Sequence, residues 1–383
     1  MPIDDISESP ILSLVDQVFR MRQAGEPVLG LHIGEPDFDT PQGIRDAAYR
    51  AMNEGFTHYT SAQGMPDLRG AIAQRLAERH QIPARADDVV VMTAKFAIYA
   101  TLLATLSPGD EVLLPDPTYL FEQPIQLVGG RPVYVALRPD FALDAEALRA
   151  AVTPRTKALI LVSPANPTGR VLRRPEVEAA LAIAREHHLT IISDETYESL
   201  VYEGRHVSPA SLEGGAVPVV TIGSFSKIYA MTGWRLGFAV APPTLVRRLV
   251  KVVEHTLSCV PPFLQKACLW ALANAGPEED RIRAIFRERR DHLLARLARV
   301  GGLTTVAPDG AFYVFPRYDV PLSSLRFCAS LLEEEKLAVV PGVAFGPHGE
   351  GHFRISFSSP TSALDEGADR LERFLARHRA PAR

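Results

Sequence analysis

The chain is poor in cysteine, in charge of one sign and in long apolar runs, and each shortage closes off a class of protein. Its 383 residues include three cysteines, Cys259, Cys268 and Cys328. None stands in a Cys-x-x-Cys pair and the number is odd, which argues against a disulfide framework or a cysteine-built metal site and fits reduced thiols. The formal net charge is -4 and the pI about 6.3. Acidic and basic residues are interspersed, so no basic field is offered to nucleic acid. No apolar run approaches the roughly 20 residues that span a bilayer. The opening Met1-Pro2-Ile3-Asp4-Asp5 is acidic where a signal peptide would be basic and then apolar. A cytoplasmic protein without membrane, nucleic-acid or metal partners is therefore expected. There is no internal repeat and no low-complexity tract.

What is present is an alternation of helical and extended patterns in a chain longer than one ordinary domain. The pattern predicts a helix over Ile11 to Ala24, an extended segment Val28 to Ile33, and helices at Gly43 to Asn53, Met65 to His80 and Ala94 to Leu106. Strands are expected at 89–92, 111–114, 132–137, 157–163, 189–193, 217–223 and 236–240, mainly parallel and covered on both faces. An amphipathic helix over Asp280 to Val300, with Ile282, Ile285, Leu293, Leu294 and Leu297 as its apolar stripe, then bridges to a smaller part. That part holds strands at 312–315, 338–340 and 353–357 and helices at 323–335 and 363–377. The Glu333-Glu334-Glu335 run reads as a solvated helix face. The fold class is α/β: a large domain over 46–276, and a smaller α+β domain over 277–383 to which an arm of residues 1–45 contributes.

Three residues carry chemistry. Lys227 leaves an apolar run within Ser224-Phe225-Ser226-Lys227, ahead of Gly233 and Arg235. A lysine held among apolar walls near other cations loses its proton readily and becomes a nucleophile toward carbonyls. Asn166 and Asp194 likewise stand at the ends of apolar runs, at spacings of about one strand-helix-strand repeat. In an open parallel sheet the carboxyl ends of the strands form the ligand crevice, so the three converge there. A Schiff-base lysine with an aspartate for a pyridinium nitrogen is what pyridoxal phosphate requires.

With these residues go Gly34-Glu35-Pro36-Asp37-Phe38-Asp39-Thr40-Pro41, Tyr59 followed by Gly64 and Leu68-Arg69, Asn166-Pro167-Thr168-Gly169, Asp194-Glu195-Thr196-Tyr197 and Phe353-Arg354-Ile355-Ser356. From about Gly30 to Ser358 the chain resembles the fold type I pyridoxal-phosphate aminotransferases, the class that contains aspartate aminotransferase. The resemblance implies that Lys227 forms the internal aldimine and moves the substrate's α-proton. It implies that Asp194 pairs with the pyridine nitrogen, and that Tyr197 and Asn166 hydrogen-bond the phenolic oxygen. Tyr119 stacks on the ring. Ser224, Arg235 and the helix start Thr93-Ala94-Lys95 hold the phosphate, with Ser226 a further candidate. Thr93 departs from the glycine usual at its position. The resemblance also implies that Tyr59 reaches the phosphate of a neighbouring subunit, which makes a homodimer the expected assembly. Arg354 and the Gly34 N–H bind the substrate carboxylate, and Asn166 borders the substrate. Lys95 and His32 are open candidates for specificity, since a lone histidine on a strand is also an ordinary structural group.

The activity implied is ping-pong transfer of an amino group from an L-amino acid to a 2-oxo acid. The same residues also serve elimination, cyclisation, hydroxylation or racemisation of amino acids, and the motifs do not separate these. A cofactor-sensing regulator without turnover would need a DNA-binding head ahead of the matching region, which begins about thirty residues in.

Overall fold

The computed structural model describes residues 3–378. Met1, Pro2 and residues 379–383, the outer ends of the expected arm and smaller domain, lie outside the described residues.

A seven-stranded sheet organises the fold. In chain order its strands are β1 (Val89–Met92), β2 (Glu111–Asp116), β3 (Arg131–Ala136), β4 (Thr156–Val162), β5 (Thr190–Asp194), β6 (Val219–Ser224) and β7 (Gly237–Val240). Their order across the sheet is β1-β7-β6-β5-β4-β2-β3. All neighbours run parallel except that β7 is antiparallel to both β1 and β6. The expected mainly parallel, helix-covered α/β sheet is thus present.

The period-2 alternation of strand side chains divides the core into two layers. Leu159, Leu161, Ile191 and Val219 pack on Val177, Leu181 and Ala184 of the helix Arg174–Glu186. Ile160, Ile192, Val220 and Ile222 face the other way, onto the helices Ala94–Thr105 and Pro243–Glu254. Burial on both faces explains why these strands read as continuous apolar runs. Register aligns the strand ends: Val162 lies opposite Asp194, and Asp194 opposite Ile222. The segments that leave β4, β5 and β6 therefore emerge side by side.

The rest of the chain packs over this edge. Phe353–Ser356 pairs antiparallel with Tyr313–Val314 on one side and Val340–Pro341 on the other. Leu29–Gly30 pairs with Leu337–Ala338, which ties the start of the chain to its last third. The long helix spans Gly276–Leu297 and buries Ile282, Phe286, Leu293 and Leu297. Its stripe passes through Phe286, with Ile285 only half-buried, a correction to the expected face. The glutamate run is exposed as expected at Glu333 and Glu334, and departs from the expectation only at Glu335. The Glu335 side chain is 8% exposed and takes Arg373 at 2.9 Å and Arg377 at 2.6 Å from the helix Thr361–His378, so ion pairs replace open solvent at that residue. The helices Pro243–Glu254 and Pro262–Asn274 occupy a stretch for which no element was expected. Among the described residues no helix is long and apolar enough to cross a membrane.

Candidate active site

A cleft of about 290 Å³ opens where β4, β5 and β6 end, bordered by Asn166, Asp194 and Lys227. Lys227 lies three residues beyond β6, in a turn that closes with Ala230 N–H donating to the Lys227 carbonyl at 3.3 Å. Its Nζ donates to the Gly34 carbonyl at 2.7 Å and sits 6.0 Å from the Tyr197 ring and 5.9 Å from the Phe312 ring. Burial lowers the amine to about 8; Glu35 and Asp194 pull it back up, while Arg354 and Arg235 depress it further. A substantial fraction of neutral amine at physiological pH follows.

Asp194 ends β5. One carboxylate oxygen accepts from the Thr196 hydroxyl at 2.6 Å and the Thr196 N–H at 3.1 Å. The other has no hydrogen-bond partner among the described residues, and the side chain borders the cleft. Burial pushes this carboxyl up and the two Thr196 donors pull it back. Three residues beyond Asp194, the Tyr197 and Tyr313 hydroxyls are 2.7 Å apart.

Arg354 is 2% exposed. Its guanidinium donates to the Asn166 side-chain oxygen at 2.9 Å and to the His32 carbonyl at 2.5 Å, and lies over the Tyr313 ring at 4.5 Å. Its Nε has no partner. Gly34 has no room for a side chain, since a Cβ there would stand 2.0 Å from the Tyr313 hydroxyl.

A cluster of anion-binding groups lines the same cleft. Thr93 caps the helix Ala94–Thr105 by accepting from Phe96 N–H at 3.1 Å, leaving the first N–H groups directed toward the cleft end of the helix. Ser224, Ser226 and Arg235 border the cleft with Ala94 and Lys95. Arg235 adopts the left-handed region at φ 57° and donates to the Thr232 carbonyl at 2.8 Å. Burial lowers the Lys95 amine, and Arg235 adds to the effect. Tyr119 and His32 border the cleft too. Burial, then Arg22 and Arg354, lower the His32 imidazole to about 4, so it is neutral at physiological pH. Tyr59 is 90% exposed and does not border the cleft of its own chain.

The sequence profile described as "Aminotransferase class I and II" matches residues 26–371. The chain belongs to the class I and II aminotransferases. Aspartate aminotransferase of Pyrococcus abyssi is 41% identical over 97% of each chain. Aromatic-amino-acid aminotransferase 2 of Thermococcus litoralis is 39% identical over 98% of each. In structure, aspartate aminotransferase of Thermus thermophilus with maleate superposes with a TM-score of 0.93 at 34% identity, covering 97% of this chain and 98% of that one. The protein is a pyridoxal-phosphate-dependent aminotransferase acting on amino-acid and 2-oxo-acid substrates.

The residues of this aminotransferase fit that cofactor. An open oxygen on Asp194 suits a ring N–H, the depressed amine of Lys227 suits an aldehyde, and Ser224, Ser226, Arg235 and a helix start together suit a phosphate. Three contributors escape sequence reasoning. Tyr313 and Thr196 hold Tyr197 and Asp194, and the helix Pro10–Gln23 brings Ile11, Leu12 and Val15 to the cleft. Thr196 has a local signal, a hydroxyl two residues after a strand-end aspartate. The other contributors arrive from distant parts of the chain.

Proposed function

We propose that this aminotransferase moves the amino group of an L-α-amino acid to a 2-oxo acid in two half-reactions sharing one cleft. The observation that carries the reading is the convergence of Lys227, Asp194 and Arg354: a depressed amine, a carboxylate with one open oxygen and a buried guanidinium around a single cavity. Pyridoxal phosphate, when bound, supplies the electron sink that lets the α-proton leave. Lys227 bonds the cofactor and, once released, carries the proton to and from the substrate α-carbon as a neutral amine. Asp194 holds the proton on the ring nitrogen through its free oxygen. Arg354, oriented by Asn166 and the His32 carbonyl, binds the α-carboxylate with its forked donors, and the Gly34 N–H adds to it. Tyr197 and Asn166 serve the phenolic oxygen, and Tyr119 stacks on the ring. Ser224, Ser226, Arg235 and the N–H groups of Ala94 and Lys95 take the phosphate.

In this reading residues 46–276 are the cofactor-binding domain, and 1–45 with 277–383 form the smaller one. The enzyme is a cytoplasmic homodimer in which the exposed Tyr59 completes the phosphate site of its partner. Ile11, Leu12, Val15, Ile98, Leu120 and Phe121 give the cleft an apolar wall, with Lys95 as the lysine beside it. Large apolar or aromatic donors therefore outrank aspartate.

The test is a single half-reaction. Phenylalanine, leucine, alanine, aspartate and glutamate are added one at a time to the yellow holoenzyme, and products are identified by mass spectrometry. Loss of the yellow absorbance with formation of the matching 2-oxo acid, fastest for phenylalanine, is expected. Release of ammonia or a cyclised product would move the protein to another reaction on amino acids, and a preference for aspartate would reject the apolar-wall argument.

A further inference from the structure

Directly behind the site lies a buried ion pair that the reaction itself does not use. Glu195 follows Asp194 in the chain but points to the other side of the sheet edge. One of its carboxylate oxygens accepts from Ser193 Oγ at 2.8 Å and Ser208 Oγ at 2.7 Å. The other faces His206 Nε2 at 2.8 Å, and both side chains of the pair are 2% exposed. His206 Nδ1 has no partner, so Glu195 is the imidazole's one hydrogen-bonding connection among the described residues.

The neighbouring charges are already paired off. From the helix Pro66–His80, the His80 ring meets His206 edge-on at 5.2 Å, yet its own Nε2 is taken by Glu198 at 2.7 Å. Arg75 serves Glu198 at 3.4 Å and Glu279 at 2.9 Å, and Arg79 also pairs with Glu279. No other cation lies within hydrogen-bonding reach of Glu195 among the described residues.

We propose that His206 neutralises the buried charge of Glu195 and so keeps Asp194, the next residue along the chain, an anion toward the cleft. His206 is then a positioning residue for the electrostatics of the cofactor ring, acting through Glu195 and Asp194. Two adjacent buried carboxylates disfavour each other's ionisation, and an imidazolium on one relieves the other. The pair behaves accordingly. Burial pulls His206 down, but the Glu195 carboxylate, with a smaller contribution from Glu198, more than offsets this and leaves it above its ordinary value. For Asp194, burial comes first in pushing the carboxyl up, and the Glu195 charge adds to that push.

The inference rests on the assignment of Asp194 to the ring nitrogen, and the experiment separates the two. Holoenzymes carrying His206→Ala, His206→Gln, Glu195→Gln, the double substitution His206→Ala with Glu195→Gln, and Asp194→Ala are compared for kcat, donor KM and the pH profile of kcat. Removing the imidazole strands the Glu195 charge and raises the Asp194 carboxyl, so the acid limb of the profile moves to higher pH. At a fixed pH on that limb, below its midpoint, kcat falls by about tenfold for each unit of the displacement, with donor KM within about twofold. Glu195→Gln removes the stranded charge, so the double variant recovers most of the loss. A merely structural histidine would give no such rescue. The inference is overturned if both His206 variants keep the wild-type kcat profile, or if the double variant is no better than His206→Ala. Should Asp194→Ala itself keep the wild-type kcat, the underlying assignment falls and the inference with it; collapse of Asp194→Ala beside unaffected His206 variants rejects the inference alone.

Discussion

Lys227 is a cation that its surroundings do not favour: it is buried and flanked by Arg354 and Arg235, although the Gly34 carbonyl accepts from its Nζ. The group is protonated below about 8 and neutral above it, and only the neutral amine attacks an aldehyde. The rate of cofactor loading onto the apoprotein should rise with pH through a midpoint near 8, followed as growth of yellow absorbance. A midpoint near the ordinary lysine value of 10.5 would show that burial does not tune this amine. The residues legible in the sequence, Lys227, Asp194 and Asn166, are those at the ends of apolar strands, where the chain itself announces a turn at a sheet edge. Tyr313 was not legible, because its hydroxyl reaches Tyr197 across 116 residues of sequence, and no local pattern encodes that contact.

At the scale of elements, most strands and helices follow from periodicity, and the two missed helices Pro243–Glu254 and Pro262–Asn274 share a feature. Each opens at a proline pair, Pro242-Pro243 or Pro261-Pro262, whose second proline occupies the first turn of the helix, where its missing N–H and fixed φ do no harm. The long helix Gly276–Leu297 illustrates how packing selects among apolar positions. Phe286 is fully buried, 5.6 Å from the Phe38 ring and 5.1 Å from the Phe312 ring, and Phe312 in turn lies beside Lys227. Phe286→Ala should lower unfolding stability by about 3–5 kcal/mol, measured by denaturant titration of the apoprotein. The neighbouring Ile285→Ala should cost distinctly less, since that side chain is only half-buried. Equal losses would mean that the helix presents a different face.

For the whole molecule, assembly decides where Tyr59 acts. Tyr59 does not border the cleft of its own chain, and Tyr49 and Met52 from the helix Gln42–Asn53 are exposed with it. If Tyr59 serves the partner's phosphate site, Tyr59→Ala should weaken cofactor retention and Lys227→Ala should abolish turnover. Mixing the two variants should then create hybrid dimers with one intact site each, and activity should reappear. Absence of recovery after verified subunit exchange would place Tyr59 outside the partner's site. The most direct measurement for the account as a whole is borohydride reduction of the yellow holoenzyme followed by peptide mass spectrometry. The account predicts a single cofactor adduct on the peptide carrying Lys227, none on the peptide carrying Lys95, and no yellow species in Lys227→Ala. An adduct on Lys95, or an undiminished yellow absorbance in Lys227→Ala, would contradict it.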